Sequence, residues 1–229
     1  MMMKYNENGR SMVEMLGVLA IIGVLSVGGI AGYSKAMNKY KINKTTDQVS
    51  MLVANIRTLF SSQGNYDGLN NGQAIKFGVV PNDMYTAADT YASNADITNA
   101  FGGAVTIAAA KARTADGSAD KPGNEAFIIE YAGLSSEACV TVATGDWGSG
   151  QASGLIAIAA GASGSLSDLL ADVVIDPATD DAVDAEAGKV VAKPGNTTVP
   201  TPISVTKAVT ACDGEDNAGS GYGVAWKYY

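Results

Sequence analysis

The fold of this 229-residue chain is decided by the stretch Arg10-Ser-Met-Val-Glu-Met-Leu-Gly-Val-Leu-Ala-Ile-Ile-Gly-Val-Leu-Ser-Val-Gly-Gly-Ile-Ala-Gly32. Between residues 12 and 31, Glu14 is the one charged residue and Ser26 the one other clearly polar side chain. About 20 consecutive apolar residues are enough for a helix to cross the hydrocarbon core of a membrane. A charged side chain inside such a helix costs about 2.5–3.5 kcal/mol, so Glu14 is expected to have a partner.

The residues before the apolar run are arranged in the opposite order to a secretory signal peptide, whose cleavage site follows its apolar region. Here the polar residues 1–9 end in Gly9, and Glu14 stands five positions later. This arrangement resembles the leader of type IV prepilins. The resemblance implies that a prepilin peptidase cuts between Gly9 and Arg10, that the new amine is methylated, and that the mature chain assembles into a helical filament. The family usually has Phe or Met where this chain has Arg10.

Two other interpretations of the same stretch stay open. A plain signal-anchor helix would leave Gly9 and Glu14 unexplained. A signal peptide cleaved near Ala31 would carry a glutamate at the start of its apolar region, which is unusual. In the prepilin interpretation, the amine at Arg10 of one subunit pairs with Glu14 of a neighbour, in a filament core where the low dielectric strengthens the attraction.

Composition excludes most enzyme classes. The chain has no histidine and two cysteines, so histidine acid/base catalysis, a Cys-His nucleophile pair and a Cys/His zinc cage are excluded, and we expect no cofactor and no metal. The net charge of −8 is unevenly distributed, with +4 on residues 10–62 and −12 on residues 63–229. The acidic part of the chain is therefore not expected to bind nucleic acid.

The helix is predicted to continue well beyond the apolar run. No proline occurs before Pro81, and beyond Tyr33 apolar residues recur at helical spacing, at Ile42, Val49, Leu52, Val53, Ile56, Leu59 and Phe60. Gly64 suits the left-handed conformation that follows a helix end. The predicted organisation is therefore a cleaved leader at 1–9, a transmembrane and assembly helix at 10–62, and a globular head at 63–229.

The basic residues around the apolar run give a conflicting indication of topology. Lys4 and Arg10 precede the run, whereas four lysines follow it, at Lys35, Lys39, Lys41 and Lys44. A simple positive-inside count would place the head in the cytoplasm. The prepilin resemblance and the two cysteines favour the opposite orientation, with a single-pass precursor in the inner membrane, its head in the periplasm, and an extracellular filament after assembly.

The head is predicted to be mixed α/β, which makes the whole chain α+β. Residues 104–108 and 126–131 are predicted to be neighbouring antiparallel strands. Further predictions are helices over 135–142 and from 166, strands at 154–159 and 222–229, an extended surface connection over 193–202, and a helical face formed by Val205, Ala208, Val209 and Cys212.

Cys139 and Cys212 are interpreted as one disulfide, which closes a loop over the last third of the head. Free buried thiols and a redox-active pair are the alternatives, although no CxxC spacing is present. Phe101-Gly-Gly-Ala-Val, the segment 137–145, Ala208-Val-Thr-Ala-Cys212 and Ala225-Trp-Lys-Tyr228 look like the type IVb pilins, including their conjugative and enteric-adherence members. That resemblance implies that the cysteine-bounded region is exposed and contacts partners.

The sequence therefore predicts a major pilin that polymerises into a type IVb-like pilus serving adhesion, aggregation or conjugative transfer. Its expected partners are further copies of itself, the inner membrane, the prepilin peptidase and the pilus assembly machinery. Alternatives are a type II secretion pseudopilin, and a minor pilin acting as tip adhesin or DNA-binding module. A calcium site at Asp180-Asp181 or over 213–216 is disfavoured, since neither matches an EF-hand loop; a solvated acidic face is the preferred interpretation.

Overall fold

The computed structural model describes residues 12–86, 92, 94–112, 124–148, 153–164, 166–171, 173, 175, 188–213 and 221–229, and the backbone of residues 183–186. Its contacts divide the chain into two compact units, Met1–Tyr40 and Lys41–Tyr229. The predicted leader, residues 1–9, lies outside the described residues.

Helix α1, Met12–Phe60, is continuous across the boundary between the two units. Within the second unit it buries a stripe of apolar side chains at steps of three, four and seven residues, namely Ile42, Val49, Leu52, Val53, Ile56 and Phe60. These positions were predicted from the helical spacing; Leu59, predicted with them, is 36% exposed. The helix ends at Phe60, two residues before the predicted end at residue 62, and Gly64 lies in the left-handed region at φ 70°.

The described strands form one antiparallel sheet in the order β1-β2-β6-β3-β5-β4. Their bounds are β1 Val105–Ala110, β2 Ala126–Leu134, β3 Leu155–Ala162, β4 Val183–Glu186, β5 Lys189–Ala192 and β6 Tyr222–Tyr228. The pairing of β1 with β2 was predicted and is present, with Ile107 opposite Ile129. The last strand, β6, lies between β2 and β3 and is buried on both faces because it is central.

The two faces of the sheet differ in the size of their side chains. One face carries large residues, including Phe127, Tyr131 and Trp226, which belong to the same core as the buried stripe of α1. The alternate positions carry smaller residues, including Ala126 and Ala225, which belong to a second core with helix α4, Leu166–Ala171. Because strand side chains alternate between faces, the apolar runs of these strands supply both cores.

The remaining helices are α2 Asn71–Lys76, α3 Ser136–Ala143 and α5 Val205–Ala211. Helix α3 was predicted, and Ser135 caps its N-terminus by accepting a hydrogen bond from the Ala138 amide. Helix α2 and the short strands β4 and β5 were not predicted. The long N-terminal helix, the antiparallel sheet and the mixed α/β head confirm the predicted fold class.

Two local predictions differ from the structure. Residues 193–202 form a surface connection only in part, since Gly195, Pro200 and Pro202 are exposed whereas Lys193 is fully buried and Val199 is 1% exposed. The buried face of α5 consists of Ala208, Ala211 and the adjoining Cys212, whereas Val205 and Val209 are 63% and 42% exposed. The alanine side of this helix thus faces inward, beside the buried disulfide at Cys212.

Candidate assembly site

The first unit carries an apolar surface that the protein does not bury. Between residues 12 and 30 its large apolar side chains are all at least half exposed, at Met12, Val13, Met15, Leu16, Val18, Leu19, Ile21, Ile22, Val24, Leu25, Val27 and Ile30. Within the described residues, α1 is the one helix long and apolar enough to cross a membrane. An apolar surface of this extent requires lipid or other protein to cover it.

Glu14 lies in the first turn of α1 and is exposed. No lysine or arginine occurs between residues 11 and 34, so a basic partner for Glu14 from the described part of its own helix would have to be Lys35 or a later lysine. Lys35 lies 21 residues further along the same helix, roughly 30 Å away at ~1.5 Å per residue. Gly9 and Arg10 lie outside the described residues, and the cleavage and methylation assigned to them stay predictions.

Two of the four lysines that follow the apolar run make contacts within the second unit. Lys44 forms an ion pair with Asp83, with 2.6 Å between Nζ and Oδ2, and the Lys41 ammonium lies 5.6 Å from the centre of the Phe101 ring. The hydrogen bond from Lys44 holds the pKa of Asp83 below its usual value. These lysines therefore help to hold the loops of the second unit on α1.

Cys139 and Cys212 form the disulfide that was predicted from the sequence. Their Cα atoms are 6.0 Å apart, the residues are separated by 73 positions, and both are fully buried. The bond joins α3 to the C-terminal end of α5, where Cys212 is the capping residue. Free thiols and a redox-active dithiol are therefore not the state of these cysteines in the structure.

Two buried charges that the sequence analysis overlooked position α4 inside the cysteine-bounded region. The Glu130 carboxylate accepts hydrogen bonds from the amides of Gly164 and Ser167, both at 3.0 Å, at the N-terminal end of the helix. At the opposite end, the Lys227 ammonium donates to the carbonyls of Leu170, Ala171 and Val173, at 2.8–3.1 Å.

The signs of these two charges complement the helix dipole, and each charge satisfies backbone groups that a short helix leaves free. A signal for both residues is present in the sequence. Glu130 and Lys227 are single charges inside apolar strands, and such charges are seldom buried without partners.

The family described as PilS N terminal matches residues 39–219, which is most of the chain. This chain belongs to the PilS family of type IV pilins. The major structural subunits of the bundle-forming pilus from Escherichia coli O127:H6 (strain E2348/69 / EPEC) and from Escherichia coli O111:H- are each 29% identical to the pilin over 143 residues. Those alignments cover 62% of this chain and 67% of each relative.

The pilin also resembles the crystal structure of TcpA, a type IV pilin from Vibrio cholerae El Tor biotype. The TM-score is 0.50 at 20% identity, over 83% of this chain and 99% of the other. At this identity the likeness concerns the fold. The resemblance to type IVb pilins and the prediction of a non-enzymatic structural protein are confirmed by the family and its relatives.

The outer face of the cysteine-bounded region in this pilin includes the exposed Val205 and Val209 of α5. Most of the predicted acidic stretch, including Asp180 and Asp181, lies outside the described residues, as do residues 214–216. Elsewhere in the described ranges, no group of three or more acidic or cysteine side chains could hold a metal ion.

Proposed function

We propose that this pilin is the major structural subunit of a type IVb-like pilus and that it polymerises through the first half of α1. The observation that carries the proposal is the apolar surface between Met12 and Ile30, which the protein leaves exposed over more than four turns of helix. The relatives from Escherichia coli are major structural subunits of a bundle-forming pilus, and this supports the major rather than a minor role.

Apolar burial supplies most of the cohesion in this proposal. Each fully buried Leu, Ile, Val or Met side chain contributes about 1.5–3 kcal/mol. Burial of the twelve exposed apolar side chains between Met12 and Ile30 therefore contributes more free energy than any one polar contact. Both lipid and neighbouring α1 helices can cover this surface, which allows the same segment to anchor the precursor and then to form the filament core.

Glu14 provides specificity in the same mechanism. The peptidase removes residues 1–9, and the amine released at Arg10 of one subunit pairs with Glu14 of its neighbour. Apolar surfaces slide past one another with little change in energy, whereas a buried charge pair is stable in one register. The pair therefore determines the stagger between neighbouring helices, while the surrounding side chains hold them together.

The same proposal assigns the locations of the chain. The precursor spans the inner membrane once, with its head in the periplasm, and the assembled subunit is extracellular. An oxidising compartment for the head is consistent with the buried disulfide between Cys139 and Cys212.

The decisive experiment is intact-mass and N-terminal analysis of material sheared from the cell surface. We expect filaments whose subunit begins at Arg10 and whose mass is two hydrogens below that of the reduced chain, with one methyl group added at the amine. A subunit beginning near Tyr33 would identify a secreted domain and contradict the proposal. Correct processing with only trace amounts in the filaments would instead indicate a minor pilin or a pseudopilin.

Two variants separate processing from assembly. Gly9→Ala should leave unprocessed chains in the inner membrane, and Glu14→Ala should be processed normally but yield few filaments. Glu7→Ala, which removes a carboxylate from the predicted leader, is the matched control and should assemble normally. Wild-type piliation by Glu14→Ala would remove Glu14 from the mechanism.

A further inference from the structure

Strand β1 is at the edge of the sheet, and its sequence is suited to recruit another strand. The segment Ala104-Val-Thr-Ile-Ala-Ala-Ala110 contains no charged residue and no proline. Uncharged edge strands of this kind are templates for edge-to-edge pairing between copies of a protein. Proteins usually block such an edge, and charged residues or a proline within the strand are among the means.

The outward-facing amides of β1 are occupied by groups from the same chain. The ladder of β1 with β2 places Thr106 opposite Glu130, and the alternate residues face away from β2. Of these, Val105 donates its amide to the carbonyl of Ile97 at 2.8 Å, and Ala109 donates to Leu69 at 3.1 Å. Two separate segments thus cover the two ends of the edge.

The middle of the edge is covered by one side chain, Asn71, the first residue of α2. Its Oδ1 accepts the Ile107 amide at 2.7 Å, and its Nδ2 donates to the carbonyl of Val105 at 2.9 Å. The same Nδ2 donates to the carbonyl of Ala95 at 2.8 Å. A carboxamide presents one acceptor and two donors in a plane, so it satisfies β1 as the backbone of a neighbouring strand would.

We propose that Asn71 protects the β1 edge: its carboxamide occupies the position of an added strand and prevents a second copy of this chain from pairing there. Without this carboxamide, the middle of the edge, at the Val105 carbonyl and the Ile107 amide, would be open to an extended segment of another subunit. This inference is independent of the proposed function, since it concerns an association that the fold excludes and not the route of filament assembly.

The test is Asn71→Ala in the full-length chain in detergent micelles. Loss of the three hydrogen bonds should make the Ile107 amide exchange with solvent at least about tenfold faster. The amides of Thr106 and Ala108, which face β2, should change less. The open edge should then produce concentration-dependent, thioflavin-T-positive aggregates that the wild-type chain does not form.

Two further variants separate edge pairing from simple destabilisation. Asn70→Ala removes the side chain that caps α2, whose hydrogen bonds go to the carbonyl of Gly68 and the amide of Gln73, and keeps the backbone bridge from residue 70 to Ala108 of β1. It should therefore destabilise the same segment without aggregation. Asn71→Asp keeps an acceptor for Ile107 and places a charge at the edge, so it should lower the melting temperature and still not aggregate. Aggregation of all three variants in proportion to their loss of melting temperature would overturn the proposal. An Asn71→Ala variant whose Ile107 amide exchanges fast but which stays monomeric would also overturn it.

A measurement on the wild-type chain covers the case in which Asn71→Ala does not fold. Native-state amide exchange in low concentrations of urea distinguishes local opening at Ile107 from global unfolding. We expect the rate of aggregation to follow the local opening. An aggregation rate that follows global unfolding alone would contradict the role of Asn71.

Discussion

The two halves of α1 are parts of one continuous helix, yet they have opposite relations to the rest of the chain. Between Met12 and Ile30 the large apolar side chains are at least half exposed, whereas between Ile42 and Phe60 a stripe of them is buried in the head. The second half is amphipathic and the first is apolar all round, which is the pattern of a helix surrounded by lipid or by other helices. The head accordingly gains its stability from the second half, and the first half is available for assembly.

The largest expected effect comes from the same substitution made in each half. Leu52 is fully buried and Leu19 is 62% exposed. Leu52→Ala should lower the free energy of unfolding of the head by about 3–5 kcal/mol, because it leaves a cavity in the core. Leu19→Ala should leave head stability unchanged and weaken filaments instead. Thermal unfolding in detergent measures the first effect, and the yield of sheared filaments measures the second. Equal destabilisation by both variants would mean that the two halves are not independent.

Loss of the disulfide should lower the stability of the head and should not affect the membrane-spanning half of α1. Replacing both Cys139 and Cys212 by Ala should lower the free energy of unfolding by about 2–4 kcal/mol, since the bond restricts the unfolded chain over 73 positions. Reduction of the wild-type chain is the control and should reproduce the loss. Membrane insertion of the precursor should not change. Unaltered denaturant midpoints in both cases would show that the bond contributes little to stability.

Removal of a buried charge should have a smaller and more local effect. Lys227→Met leaves three carbonyls at the end of α4 without their donor, which costs about 1–3 kcal/mol. Amide exchange should rise first in α4, while α1 stays protected. The exposed Lys76 offers the matched control, and Lys76→Met should be neutral. Uniform loss of protection across the head would contradict a local role for Lys227.

The smallest expected effect concerns the ion pair between Lys44 and Asp83. Both side chains are partly exposed, so Asp83→Asn should lower the free energy of unfolding by less than about 1 kcal/mol at neutral pH. The folded-state pKa of Asp83 is lowered, so its contribution is present above the unfolded-state pKa and is lost as the pH falls through the folded-state value. Unfolding curves of the wild type and the variant should therefore converge below about pH 4. A difference in the free energy of unfolding between the wild type and the variant that persists at pH 2 would not come from the ion pair.

The elements that the sequence predicted are those with a repeated pattern or a local stop signal. Helix α1 has helical periodicity over many turns and ends near Gly64, and the pair β1 and β2 consists of apolar runs separated by turn residues. Helix α3 has a serine cap at Ser135 that is visible in the sequence. Each of these signals is local, so it can be recognised without knowledge of the partners.

The strands that were missed are short, and the sheet that they extend is distant in sequence. Strands β4 and β5 have four residues each; β4 pairs with its neighbour β5, and β5 in turn pairs with β3. The orientation of α5 was wrong because Val205 and Val209 are more apolar than the alanines that are in fact buried. The buried alanines Ala208 and Ala211 lie on the same side as Cys212, which is bonded to Cys139 in the core.

The sequence by itself determined that this chain has an apolar N-terminal helix with one embedded carboxylate, a mixed α/β head and two cysteines able to form a disulfide. These follow from composition, spacing and periodicity, which act along the chain. Only the tertiary structure decided that Glu130 and Lys227 hold opposite ends of α4 and that Asn71 covers the edge of β1. Such contacts join residues 34 to 57 positions apart, and no local pattern specifies which distant backbone group a polar side chain will reach.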